Sequence, residues 1–264
     1  MDEFASLLRS IERLAGFKCS NYKEDYIKRR ILSRMRLTNT ADYEAYHRYL
    51  LANPQEVDPL RNALTINVTR FFRDPEVFEV LQREILPDLA RRKKSIRIWC
   101  AGCATGEEPY SIAILAHELT ILHKDINVTI YATDIDTGAL KKAMAGIYDE
   151  KTLENVDGRR LRKHFIRHDD GRFEVRPHIR DFVKFRQHDL TSGVPIARYL
   201  DVVTCRNVTI YFTEKQKNEL TRLFHSALAI DGYYIMGKTE YLGREVEHLF
   251  TPYNIAQKIL RKVM

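Results

Sequence analysis

The sequence predicts an α/β protein: a parallel sheet with a small antiparallel β insertion, preceded by an all-α N-terminal domain. Three observations predict it. Up to about residue 70, apolar residues recur only at helical spacing. From Ile96 onward, short apolar strands alternate with amphipathic helices, the pattern of a parallel sheet. Within about 155–186 that alternation is broken by a turn at Asp169-Asp170-Gly171.

The elements follow in order. Phe4, Leu7, Leu8, Ile11 and Leu14 mark a first helix that Gly16 stops. A second runs from about Lys23 to Leu37, with Tyr26, Ile27, Ile31 and Met35 as its apolar stripe and Lys28, Arg29, Arg30, Arg34 and Arg36 outward. Short helices are expected near 42–51, capped by Thr40, and near 56–66. A long helix from Pro75 to Arg92 leads into strands at Ile96–Cys100 and Val128–Thr133, with helices near 108–122 and 137–145. The insertion is expected to hold a short helix and strands at Phe173–Val175 and Ile179–Phe182. Strands at Val183–Phe185, Asp201–Cys205 and Tyr233–Met236, a helix near 214–229 and a closing strand near Ile255–Lys262 complete the sheet. The implied domains are 1–70, a linker helix over 71–94, and 95–264.

Composition excludes several classes. A chain of 264 residues that is 44% hydrophobic can bury a core and is not a disordered tail. No stretch approaches the roughly 18 apolar residues of a membrane span, and MDEFASLLRSIERLAG is too charged for a secretory signal. Cys19, Cys100, Cys103 and Cys205 form no disulfide framework, so a reduced, cytoplasmic protein is expected. The net charge of +7 is uneven: Lys18–Arg36 carries net +5 and Arg159–Arg186 net +6, which suggests an anionic partner.

The central signal is IRIWCAGCATGEEPYSIA, a strand, a loop with Gly102 and Gly106, and a helix start. Ligands bind at such carboxyl ends of strands. A dinucleotide fingerprint needs G-x-G-x-x-G and a helix start free of acid. Here Glu107 and Glu108 stand at the helix start, which repels a pyrophosphate and suits a ligand with a cationic end. Asp134, at the tip of the next strand, is placed to accept ribose hydroxyls, unless it only caps the following helix, a task open to Asp136. A ribose and a cation together point to S-adenosylmethionine.

Asn67-Val68-Thr69-Arg70-Phe71-Phe72-Arg73, Thr105-Gly106-Glu107-Glu108-Pro109-Tyr110-Ser111, Thr133-Asp134-Ile135-Asp136 and Cys205-Arg206-Asn207-Val208-Thr209-Ile210-Tyr211-Phe212 occur in this order. With these four motifs the chain resembles the chemotaxis receptor methyltransferases of the CheR family over nearly its whole length. The resemblance implies a Rossmann-like class I methyltransferase sheet. It also implies methyl transfer from S-adenosylmethionine to glutamate carboxylates on chemoreceptor cytoplasmic helices, leaving S-adenosyl-L-homocysteine. Carried over, Asn67, Thr69 and Arg73 contact the methionine end of the cofactor, Glu107 its amino group and Asp134 its ribose. Asp189 and Leu190 flank the adenine, and Arg206 and Asn207 line the transfer pocket. Arg73, Arg206 or Tyr211 positions the substrate carboxylate. The chain departs from the family at Thr209 and Lys238.

That chemistry asks for alignment and desolvation rather than a general base, because the carboxylate is already ionised near neutral pH. The helix bearing Lys28, Arg30, Arg34 and Arg36 is the expected docking face for an acidic receptor bundle. The compact turn in FIRHDDGRFEV argues against tethering to a receptor's C-terminal pentapeptide through the insertion. A monomer is expected, with no nucleic acid, membrane insertion or metal. Cys100 and Cys103 form a C-x-x-C without a second ligand pair and are expected to pack the loop. The competing classes are a nucleic-acid or other protein methyltransferase and a non-catalytic S-adenosylmethionine-binding regulator.

Overall fold

A computed structural model describes residues 3–263. Two compact units divide the chain: the segment up to Ile66 together with Tyr211–Lys217, and Asn67–Ile210 together with the chain from Asn218 onward.

The first unit is helical. Helices α1 (Glu3–Ala15), α2 (Glu24–Leu37), α3 (Tyr43–Ala52) and α4 (Val57–Leu64) enclose Leu7, Ile11, Ile27, Ile31, Tyr46, Leu50 and Leu60. The apolar stripe of α2 is the one its sequence periodicity implies. The cap of α3 is not. Asp42, rather than Thr40, accepts the Ala45 amide at 2.7 Å, because Asp42 directly precedes the helix while Thr40 turns back toward Met35.

The second unit opens with α5 (Pro75–Val80), a π turn over Leu81–Ile85, and α6 (Leu86–Arg92). Pro87 in the first turn of α6 has no N–H to give, and the π turn lies immediately before it. Strand β1 (Ser95–Ala101), α7 (Glu107–Leu122), β2 (Asn127–Asp134) and α8 (Thr137–Ala145) follow as parallel strand–helix units. The insertion comprises β3 (Ile147–Tyr148), α9 (Gly158–His164), β4 (Phe165–Arg167), β5 (Phe173–Val175) and α10 (Pro177–Arg180). Its strands form a three-stranded antiparallel sheet in the order β3-β5-β4. Ile179–Phe182 is therefore not a strand: Pro177 in its first turn starts a short helix, and Ile179 is buried from it.

The main sheet has the order β6-β2-β1-β7-β8-β10-β9, with β6 (Val183–Gln187), β7 (Leu200–Cys205), α11 (Glu214–Ala227) and β8 (Leu228–Met236). The expected closing strand is instead a hairpin, β9 (Phe250–Asn254) and β10 (Ile259–Lys262), antiparallel to each other and to β8. Lys258 at φ 55° makes the reversal that splits it. Strand order reverses between β1 and β7, so a crevice is expected at their carboxyl ends. No helix among the described residues is long and apolar enough to cross a membrane.

Candidate active site

The loop after β1 is fixed from beneath. The Gly102 and Cys103 amides both donate to the Thr133 carbonyl, at 2.8 and 2.9 Å, and the Ala104 amide donates to Asp134 Oδ2 at 2.8 Å. These three amides are spent within the protein and are not free to cradle a pyrophosphate. Gly106 has φ 96°, and a Cβ there would lie 2.8 Å from Ala143 Cβ and 2.9 Å from the Tyr148 hydroxyl. Glycine is thus required where α7 begins.

Glu107 and Glu108 have separate tasks. Glu107 is 3% exposed, and the hydrogen bond its carboxylate accepts comes from the Thr105 hydroxyl, at 2.7 Å. Burial pushes its carboxyl above the usual range, since a sparsely bonded buried anion is costly. Glu108 accepts from Thr204 at 2.6 Å and pairs with Arg206 at 3.0 Å. The Arg206 guanidinium also donates to Asp74 and to the Arg73 carbonyl, and its side chain is 2% exposed. Arg206 is a buried strut joining the linker to β7 and α7 rather than a side chain at the cleft surface.

Asp134 accepts the amides of Ala104 and Asp136, at 2.8 and 2.9 Å, one on each oxygen. Burial raises its carboxyl as well. A carboxylate has about four acceptor positions, so room remains on it for a ligand hydroxyl. Capping of α8 falls to Asp136, which accepts the Gly138 and Ala139 amides and receives the Asn67 amide group at 2.7 Å. Asp189 caps the turn Leu190–Ser192 after β6, accepting from the Thr191 amide and hydroxyl at 2.8 Å. Leu190 is buried there.

The loop after β7 depends on a residue that no sequence motif singled out. Glu240 is 3% exposed and accepts the amides of Asn207, Val208, Thr209 and Gly237 together with the Thr209 hydroxyl. It holds Asn207 at φ 62°. Phe72, Asp74 and Ala104 also have positive φ.

A polar cleft of about 350 Å³ opens beside the linker, lined by Arg70, Arg73, Asp74, Glu76, Asn155 and Lys238. Arg73 donates to the Val68 carbonyl at 3.0 Å, and Lys238 pairs with Glu76 at 2.9 Å. Asp74, in the wall of this cleft, reaches Glu108 through Arg206.

Tyr211 lies in the first unit, its ring 4.7 Å from that of Tyr26. The expected docking face is partly redistributed. Arg34 points inward and forms a bidentate pair with buried Glu56 at 2.8 and 2.7 Å. Arg30 lies over the Tyr26 ring at 5.5 Å, and Lys28 pairs with Glu24. Arg29 and Arg36 are exposed, beside exposed Leu32 and Leu37. Cys100 and Cys103 are buried and unpaired, and burial holds both thiols above their usual range.

The group these residues fit is a nucleoside with a cationic end. Sparsely bonded Glu107 suits an ammonium, Asp134 suits a ribose, and the spent loop amides disfavour a pyrophosphate. Fold and site together define an α/β methyltransferase. Residues 67–259 match the family described as "CheR methyltransferase, SAM binding domain", and residues 2–65 match "CheR methyltransferase, all-alpha domain". A chemotaxis protein methyltransferase of Vibrio cholerae is 34% identical over 87% of this chain and 82% of its own length. One from Borreliella burgdorferi is 33% identical over 90% and 88%, and one from Listeria innocua 31% identical over 91% and 90%. The chain belongs to the CheR methyltransferase family, and its cofactor is S-adenosylmethionine.

Proposed function

We propose that the protein methylates glutamate side chains on the cytoplasmic helices of chemoreceptors, forming glutamyl methyl esters. The observation that carries this reading is the polar cleft where Arg70, Arg73 and Lys238 outnumber Asp74 and Glu76, which leaves a surplus of positive charge to receive a carboxylate. A free glutamate has a pKa of about 4.3 and is already a nucleophilic anion at neutral pH. The protein therefore has to orient and desolvate it. Bound S-adenosylmethionine supplies a methyl group made electrophilic by a positively charged sulfur.

In this reading Asn67, Thr69 and Arg73 hold the methionine end of the cofactor, Glu107 its ammonium, Asp134 its ribose, and Asp189 with Leu190 its adenine. Asn207 lines the transfer pocket. Arg73 or Tyr211 orients the incoming carboxylate, and Arg206 is a positioning residue that acts through Glu108 and Asp74. The exposed cations Arg29 and Arg36 of α2, with the half-buried Lys28 and Arg30, form the docking face for an acidic helical bundle, and the protein acts without a pentapeptide tether. Electrostatic docking of this kind mainly raises the association rate and weakens with salt.

The test is transfer of radiolabelled methyl to cytoplasmic chemoreceptor fragments, read as base-labile methanol. Label that vanishes when receptor glutamates are replaced by alanine supports the proposal. Cofactor binding with label on nucleic acid, or on no receptor fragment, overturns it.

A further inference from the structure

Far from the glycine loop, three histidines from three helices meet. His117 belongs to α7, His164 ends α9 and His178 lies in α10. One ring nitrogen from each falls within 4.8 Å of the others. His164 Nδ1 and His178 Nε2 are 3.2 Å apart, close to the roughly 3.3 Å edge of a tetrahedron with zinc–nitrogen bonds of about 2.0 Å. The ring centroids lie 5.2 Å apart for His117 and His164 and 4.8 Å for His117 and His178.

The protein satisfies the cluster only in part: His164 Nδ1 and His178 Nε2 hydrogen-bond to each other. His164 is 0% exposed, yet its Nε2 has no hydrogen-bond partner, and neither does the enclosed Nδ1 of His117. Buried polar atoms are rarely left so. We propose that His117, His164 and His178 form a binding site for one divalent transition-metal ion, zinc foremost. Three imidazoles with an open fourth position for water suit zinc, and the absence of a carboxylate ligand disfavours calcium and magnesium.

The surroundings agree. Burial, the neighbouring histidines and Lys163 hold His164 down at about 4, and burial lowers His117 and His178. The charged groups facing them are Glu118 from α7, Lys163 from α9, and Arg176 and Asp181 on either side of α10. Glu118 is itself held by Arg160 at 2.8 and 3.0 Å, which fixes that wall. An ion here would clip α9 and α10 of the insertion onto α7, the helix that begins with Glu107.

The experiment uses the full chain, stripped with a chelator and titrated with zinc chloride against a chromophoric competitor. One equivalent of zinc is expected, together with a rise in melting temperature that scales with free metal. His178→Ala and His117→Gln should each weaken binding by more than about tenfold and abolish the thermal shift. Cobalt in place of zinc should give the visible bands of a tetrahedral site in the parent chain only. His178 is the most open of the three, so its loss leaves the core intact, which retained S-adenosylmethionine binding verifies. No zinc uptake by the parent chain overturns the assignment. Unchanged uptake in both variants does so equally, since it would place the ion on other histidines.

Discussion

Glu108 grips Arg206 at 3.0 Å, and this pairing separates two adjacent acids that sequence alone leaves equivalent. With Glu108 committed to the protein, Glu107 is the acid left for a ligand. Glu107→Gln should therefore lower S-adenosylmethionine affinity by at least about tenfold with little change in melting temperature, because it removes a costly buried charge. Glu108→Gln should do the reverse. It strands part of a buried guanidinium and should cost about 3 kcal/mol of stability. Calorimetric titration and chemical denaturation of both variants check the pair; equal loss of affinity in the two would contradict the division.

Glu240 should prove as important as any cofactor contact. Its carboxylate accepts the amides of Asn207, Val208, Thr209 and Gly237. In Glu240→Gln one acceptor oxygen becomes a donor facing amides, at a cost of about 2–3 kcal/mol. Methyl transfer should fall more than cofactor affinity, since the loop it shapes carries Asn207. Denaturant unfolding alongside steady-state kinetics separates the two effects.

The docking reading makes a salt-dependent prediction. Arg29→Glu with Arg36→Glu should slow receptor methylation most at low ionic strength and leave S-adenosylmethionine affinity unchanged, because long-range attraction is screened by salt. Arg34→Ala should instead destabilise the helical unit by about 3 kcal/mol, by leaving Glu56 buried and unpaired. A stable Arg34→Ala protein with impaired docking would return Arg34 to the outward face.

What could be read in the sequence follows the range of the interaction. The β1–loop–α7 unit was legible because periodicity and the Gly102 and Gly106 positions are local signals, and the structure places α7 at Glu107–Leu122 as the pattern implies. Asp134 was legible as a residue at a strand tip. Arg34 was not: it shares a helix face with Arg30, and only Glu56, remote in sequence, turns it inward. Glu240 was hidden for the same reason, since apart from Gly237 its partners Asn207, Val208 and Thr209 lie 31 to 33 positions away. His117, His164 and His178 lack the short spacing that marks metal ligands in a sequence and meet only through tertiary packing. The Ile179–Phe182 run reads as a strand by composition, but Pro177 starts a helix there.

Burial raises Glu107 above its ordinary value near 4.5. In the ligand-free protein the folded state then holds this proton more tightly than the unfolded chain. The stability it contributes is full below the unfolded pKa and is lost as pH rises through the folded one. A cationic ligand reverses the preference, because it favours the carboxylate. Below the raised pKa, S-adenosylmethionine binding must expel a proton, so affinity should fall by up to about tenfold per pH unit as the medium is acidified. Asp134, raised by burial too, adds to the slope if its ribose contact favours the ionised form. Calorimetry from pH 8 down to 5 in buffers of different ionisation enthalpy reads the proton release directly. Glu107→Gln should flatten most of the profile and Asp134→Asn the remainder. A parent chain with pH-independent affinity would mean that Glu107 does not face the cofactor's cationic end.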